Sequence, residues 1–396
     1  MTEFQELFAD PLVSHFNSYS KHIFGQLSKC HTAKMGLHRL ACNQEKCSNE
    51  HYQYHCCGNR HCPNCGGLKK EEWIENRTRE LLPTPYYHLV FTLPHELHSL
   101  ILGNRKQLFK LLFDSASQTI LNHAKMPEYL GADCGITMVL YTWGQDLSFH
   151  PHVHCIVTGG GFDGENWIEA KRKKNNFLFA QPSLRKMYKA IFLEQLAKLD
   201  LKVESVDLPK LIKQVGYKKW NVYAKAPFGG PAQVVEYLGR YTHKIAITRH
   251  RILSVTDQHV RFRYKDYADD NKTKTMQLSR KDFLQQFELH FLPQHFTKIR
   301  HYGFLQNNGK HKRLEAIRKA LKLSPLKAVV CIPASQRMLE KYGKDFTICS
   351  CCKIGKMEIV YTFRAGTRQH VKSETGAQSL SKWSKLKNKA SPCEFE

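Results

Sequence analysis

Three histidines occupy alternate positions in HPHVHCIVTGGG, at His150, His152 and His154. In an extended strand, residues two apart face one side, so the imidazoles can converge on one object, usually a metal ion. The preceding TWGQDLSF puts Gln145 or Asp146 across a short turn, supplying an oxygen as third ligand. Two imidazoles and one oxygen leave positions open for a phosphate oxygen and water, as a catalytic Mg2+ or Mn2+ requires. His150 is then a further ligand or a DNA contact.

A second constellation is EYLGRYTHK, where Tyr237 and Tyr241 stand four apart and share a helix face. An aromatic core pair is the plain alternative. Against it, Arg240, His243 and Lys244 surround the pair with groups suited to a phosphate, and the loop APFGGP launches the helix. A tyrosine hydroxyl, with a pKa of about 10, is a poor nucleophile at neutral pH. It becomes competent when a metal polarises the phosphodiester. Attack would leave a 5′-phosphotyrosine and a free 3′-hydroxyl, keeping the bond energy for rejoining. A second tyrosine allows a second cleavage before the first is resolved.

Cysteines supply the third. Between Cys30 and Cys65 the chain is dense in Cys and His and poor in large aliphatics, so it cannot build an ordinary core. Cys62-Pro-Asn-Cys65 is a knuckle, and Cys42 with Cys47 a looser hairpin; together they are expected to complete a tetrahedral zinc site. Cys30, His38 and Cys57 are enough to start a second, so one or two structural Zn2+ are expected. The late CSCC at 349–352 has no second knuckle beside it and is assigned no metal.

These groups must be positioned by strands and helices. YYHLVFTL (86–93), GITMVLYTWG (135–144) and SFHPHVHCIVTGGG (148–161) read as strands, and NFLFA as an edge strand. Helical spacing runs through 68–82, through 97–125 as one long helix, through 183–199 and through 232–246; residues 252–267 read as a hairpin. Strands alternating with long helices, without Gly-rich phosphate loops, predict an α+β domain on an antiparallel sheet. The organisation expected is a zinc-binding, DNA-contacting domain over 1–80, a nuclease domain over 81–300, and a basic C-terminal region over 301–396 with a disordered end.

Sixty Lys and Arg against thirty-five Asp and Glu leave a net charge of +25 in 396 residues, spread along the chain. That excess argues for a polyanion, with nucleic acid the default. The acidic opening MTEFQELFADPLVSHF has no secretory pattern and no apolar run reaches membrane-span length, so a cytoplasmic protein without membrane partners is expected.

Taken in order, CGNRHCPNC, WGQDLSFHPHVHCIVTGGG, YLGRYTHKIAIT, IRHYGFL and the late CSCC resemble the rolling-circle transposases of the insertion sequence 91 family, two-tyrosine members of the HUH endonuclease superfamily. The resemblance covers most of the chain. It implies Tyr237 and Tyr241 as nucleophiles, His152 and His154 as metal ligands, and an RRM-like five-stranded antiparallel sheet. No family motif fixes the third ligand, for which Gln145 is preferred to Asp146. The expected partners are single-stranded or hairpin-forming DNA at element ends, target DNA and, with no Walker-type loop in the chain, a host helicase. The competing readings are a plasmid or phage rolling-circle replication initiator and a non-catalytic zinc-containing DNA-binding protein. A hydrolase of small substrates leaves the charge and the tyrosine pair unexplained.

Overall fold

The computed structural model describes residues 3–65, 67–171, 178–202, 206–225, 233–234, 239, 245–267, 269–326, 332–364 and 371–372. Its fold is α+β with antiparallel sheets throughout. The chain opens with helices α1 (Glu3–Phe8) and α2 (Ser18–Lys29). Asn17 caps α2 by accepting from the Ser20 amide, and Ser20, Ile23, Phe24 and Leu27 form its buried stripe. Strands β1 (Gly36–Cys42) and β2 (Glu50–Tyr54) follow, then α3 (Gly67–Glu80).

Next come β3 (Tyr86–Thr92), α4 (His98–Gly103), α5 (Arg105–Lys125), β4 (Asp133–Trp143), β5 (Phe149–Phe162) and the short β6 (Trp167–Glu169). Helices α6 (Gln181–Leu196) and α7 (Leu208–Tyr217) lead to β7 (Val222–Lys225). The helix expected over 97–125 is broken at Asn104. Its side-chain amide donates to the carbonyls of Leu100 and Lys202 while its oxygen accepts from the Lys202 amide, so the residue serves a tertiary contact. The described part of NFLFA, residues 178–180, is not a strand; Leu178 and Phe179 are both buried, which an alternating edge strand could not achieve. Beyond these, β8 (Ile252–Val255), β9 (His259–Asp266) and β10 (Lys272–Ser279) make a three-stranded sheet, one strand more than the hairpin expected. Strands β11 (Ile299–Gly303), β12 (Met357–Arg364) and β13 (Val371–Lys372) complete the set. None of the described helices is long and apolar enough to cross a membrane.

The central sheet runs β11-β4-β5-β3-β7, five antiparallel strands, with β6 paired to β5 off that path. Because side chains alternate, its two faces differ completely. Leu89, Phe91, Ile136, Met138, Leu140, Val153, Cys155, Val157 and Val222 point to one side and form the main core with α4, α5, α6 and α7. The other side carries His88, Thr137, Tyr141, His152 and His154, fixed there by the register Val90↔His154, Tyr141↔His152 and Val139↔His154.

A second core joins α1 and α2 to the β8–β10 sheet and the helix Arg280–Glu288, with Phe8 stacked on Phe287 at 5.3 Å between ring centroids. The remaining sheet has the order β13-β12-β1-β2. Its β12 comes from the far end of the chain, so residues placed in a separate C-terminal region pair with the N-terminal hairpin.

Candidate functional site: a histidine ladder and two thiolate tetrads

The histidine-bearing strand β5 lies in the middle of the sheet, between β4 and β3. His152 Nδ1 donates to the His150 carbonyl at 2.6 Å. Since a carbonyl can only accept, Nδ1 holds the proton and the lone pair of the neutral ring is on Nε2. Burial pushes the pKa of His152 down to about 3, with the neighbouring His150 adding to the shift, so the ring is neutral at pH 7. His154 lies 5.0 Å from it between ring centroids, and its Nδ1 is hydrogen-bonded to His88 Nε2 at 2.9 Å. Burial first, then Lys225 and His152, hold His88 at about 3. Tyr141 covers both rings, 5.5 Å from His152 and 4.7 Å from His154. The Lys298 ammonium in turn lies 5.1 Å from the Tyr141 ring and 4.9 Å from Trp143. Burial, reinforced by Arg60, pushes this lysine down to about 7.

Sequence reasoning missed His88 and Lys298. His88 shares a strand face with Tyr86, Val90 and Thr92, and only the β3–β5 register carries it to the ladder. Gln145 lies on the tight turn between β4 and β5, where its side-chain amide nitrogen donates to the Tyr267 hydroxyl at 3.1 Å and its backbone carbonyl accepts from Arg251. Asp146 stabilises the same turn, accepting from the amide and hydroxyl of Ser148. His150 is exposed. Among the described residues, the only groups of three or more His, Cys, Asp or Glu with ligand atoms mutually within 4.8 Å are two cysteine tetrads.

Tyr237, Tyr241, Arg240, His243 and Lys244 lie outside the described residues. The chain on either side of them is placed. Val234, three residues before Tyr237, is buried against Tyr86 and Ile156, and Ile156 shares the face of His154. Ala246 and Ile247 enter the second core.

The cysteines group differently from the sequence expectation. Cys30, Cys57, Cys62 and Cys65 form one tetrad, and Cys42, Cys47, Cys349 and Cys352 the other. The expected set of Cys42, Cys47, Cys62 and Cys65 is not brought together. The reason is strand length. At ~3.3 Å per residue, the seven-residue β1 separates its ends by roughly 20 Å. Cys30 and Cys57 flank the end of the β1–β2 hairpin where Leu37 faces Tyr54, whereas Cys42 and Cys47 lie at the other end. His38 joins neither tetrad; its Nδ1 is bonded to the Thr362 hydroxyl at 2.8 Å and its ring packs on His55. In the first tetrad the sulfurs of Cys30 and Cys62, and of Cys57 and Cys65, are each 3.5 Å apart. All are free thiols, and a tetrahedron of ~2.3 Å Zn–S bonds has edges of about 3.8 Å. The amides of Cys57 and Asn64 donate to the sulfurs of Cys30 and Cys62, as thiolates require. The donor set fits structural zinc.

Two family models match this arrangement, a transposase zinc-binding domain over residues 1–93 and a model described as "Putative transposase" over residues 135–313. The chain is 36% identical over 360 residues to "Putative transposase y4qJ" of Sinorhizobium fredii, covering 87% of this chain and 89% of that protein. It is 30% identical to the transposase for insertion sequence element IS801 of Pseudomonas savastanoi pv. phaseolicola, covering 74% of this chain and 72% of that protein. No solved structure matches the chain. The fold and the thiolate module thus define a transposase with an N-terminal zinc-binding domain. The chain belongs to the insertion sequence 91 family of transposases.

Proposed function

We propose that this protein moves DNA by nicking and rejoining single strands through 5′-phosphotyrosine intermediates, with Tyr237 and Tyr241 as nucleophiles. The reading rests on the pair His152 and His154, whose Nδ1 atoms are both engaged and whose Nε2 atoms are therefore the coordinating nitrogens. Neutral rings are what a cation needs, and burial keeps His152 neutral. The burial of Val234 against Ile156 supports bringing the tyrosine segment over that face. A divalent cation held there would polarise a phosphodiester and stabilise charge on its non-bridging oxygens. Two imidazoles suit Mn2+ better than Mg2+, which takes oxygen ligands. Gln145 is kept as a third ligand through its side-chain oxygen, because the bond to Tyr267 engages only its amide nitrogen.

The tyrosine oxygen bonds to phosphorus as the bond to the 3′ oxygen breaks, and the phenolic proton leaves to solvent while the 3′ oxygen gains one. Arg240, His243 and Lys244 stand within four residues of the nucleophiles and would hold the phosphate; exposed His150 would contact the strand. The net charge of +25 supports DNA ends and target DNA as partners, in the cytoplasm, with a host helicase supplying the unwinding.

The test is a nicking assay on labelled single-stranded element-end DNA with Mn2+ or Mg2+, resolved on a denaturing protein gel. A metal-dependent covalent adduct that persists in one single Tyr→Phe variant and vanishes in Tyr237→Phe/Tyr241→Phe is the expected result. Binding without an adduct in the wild type on validated ends overturns the reading in favour of a DNA-binding module.

A further inference from the structure

The second tetrad lies half outside the zinc-binding domain. Cys42 and Cys47 are in its first hairpin, but Cys349 and Cys352 come from 302 to 310 residues further along the chain. We propose that Cys42, Cys47, Cys349 and Cys352 form a second, bipartite zinc site that fastens the C-terminal segment 345–364 to the N-terminal domain and completes it.

Geometry supports the assignment independently of the histidine ladder. The sulfurs of Cys42 and Cys352 are 3.6 Å apart, and those of Cys47 and Cys349 3.8 Å. A disulfide would need ~2.05 Å, whereas the edge of a zinc–thiolate tetrahedron is about 3.8 Å. Every sulfur meets a hydrogen-bond donor of the surrounding turns. The backbone amides of Gln44 and Asn49 face Cys42 and Cys47, the Gly355 amide donates to Cys352 at 3.3 Å, and the Asn49 side chain donates to Cys349 at 3.2 Å. Four acceptors steadied in this way are suited to lose their protons to a bound cation, whose charge offsets the repulsion that four thiolates at this spacing would otherwise feel.

The turn is shaped for the approach. A Cβ on Gly355 would sit 2.5 Å from the Cys42 sulfur, so only glycine lets the two knuckles close on each other. Around the tetrad, the Asn43 amide donates to the Lys356 carbonyl, the Lys356 amide to the Asn43 side chain, and Cys42 pairs with Met357. The staple therefore sits where β12 joins β1. Without it, β1 would lose its partner on one side and leave a row of backbone groups unpaired. The zinc-binding domain is thus assembled from both ends of the chain.

Zinc content of the purified full chain tests this. The wild type should hold two zinc ions per chain, and Cys349→Ser/Cys352→Ser and Cys62→Ser/Cys65→Ser should each hold one. One zinc in the wild type, unchanged by the Cys349→Ser/Cys352→Ser pair, overturns the proposal. If that pair does not fold, native alkylation of the wild type decides, mapped cysteine by cysteine. Cys56 and Cys351, exposed and outside both tetrads, should react at once. Cys42, Cys47, Cys349 and Cys352 should react only after a chelator is added. Reaction of Cys42, Cys47 and Cys352 at the rate of Cys351 before chelation refutes the site. DNA nicking does not enter the readout, so failure here leaves the tyrosine mechanism standing.

Discussion

At the proposed cation site of the ladder, His88 should control how tightly a divalent cation is held without touching the cation itself. Its Nε2 is 2.9 Å from His154 Nδ1, and the two rings are parallel with centroids 5.1 Å apart. For His154 to coordinate through Nε2, its Nδ1 must carry the proton and donate it, with His88 Nε2 accepting. Such a partner fixes the orientation and tautomer of a ligand imidazole, and removing one typically weakens metal affinity ~10–100-fold, or about 1.4–2.7 kcal/mol. His88→Phe keeps the ring volume and deletes the acceptor, so it isolates the hydrogen bond from packing. Mn2+ titration of the folded chain, by calorimetry or by loss of the free-ion electron paramagnetic resonance signal, should show a weaker dissociation constant by that factor. His88→Asn, which can still offer an acceptor, should recover part of it. Thermal midpoints measured alongside exclude a folding defect. A dissociation constant within twofold of wild type in folded His88→Phe would refute the positioning role and leave His88 as a packing residue.

Acid should destabilise the fold through buried histidines that belong to neither the ladder nor the tetrads. Burial holds His290 down at about 4 and His301 at about 3, with cationic neighbours such as Arg105 and Arg77 also opposing protonation. Unfolded, each titrates near ~6.5, so the folded state refuses a proton that the unfolded state takes. Their stability contribution is therefore intact above pH 6.5 and lost as pH falls from there towards 4 and 3. By pH 5 this amounts to about 2 kcal/mol for each group. Urea midpoints at pH 7 and pH 5 should differ accordingly, and His290→Gln should flatten the dependence; an unchanged slope refutes the assignment. Gly303→Ala should cost ~3 kcal/mol or more, because φ is +62° and a Cβ would lie 1.8 Å from the Cys134 carbonyl oxygen. Chemical denaturation within about 1 kcal/mol of wild type would show that β11 can shift to admit it.

What was legible in the sequence is what local geometry sets. A period of two put His150, His152 and His154 on one strand, and the same period gave β3 and β4 to within two residues at either end. Helical spacing found α3 and α6; the apolar stripe of α6 meets the main core, whereas Trp73 of α3 packs on the small cluster of Tyr86, Ile156 and Val234. What was not legible depends on which distant segment arrives. Asn104 reads as an ordinary helix residue until Lys202 occupies its side chain. His88 looks like a strand histidine until β3 registers against β5. The cysteines show the same limit most sharply. Sequence spacing paired the nearest knuckles, Cys42/Cys47 with Cys62/Cys65, but a strand of seven residues holds those pairs apart. A ligand set is chosen by the ends of elements that meet in space, and β1 has two such ends. One meets the turn after β2, which is local; the other meets the turn before β12, reached only after the central sheet and its helices have been made. That ordering has a consequence for folding. The first tetrad can close once residue 65 is made, whereas the second requires residue 352, so a chain truncated before Cys349 should keep one zinc and lose the strand that covers β1.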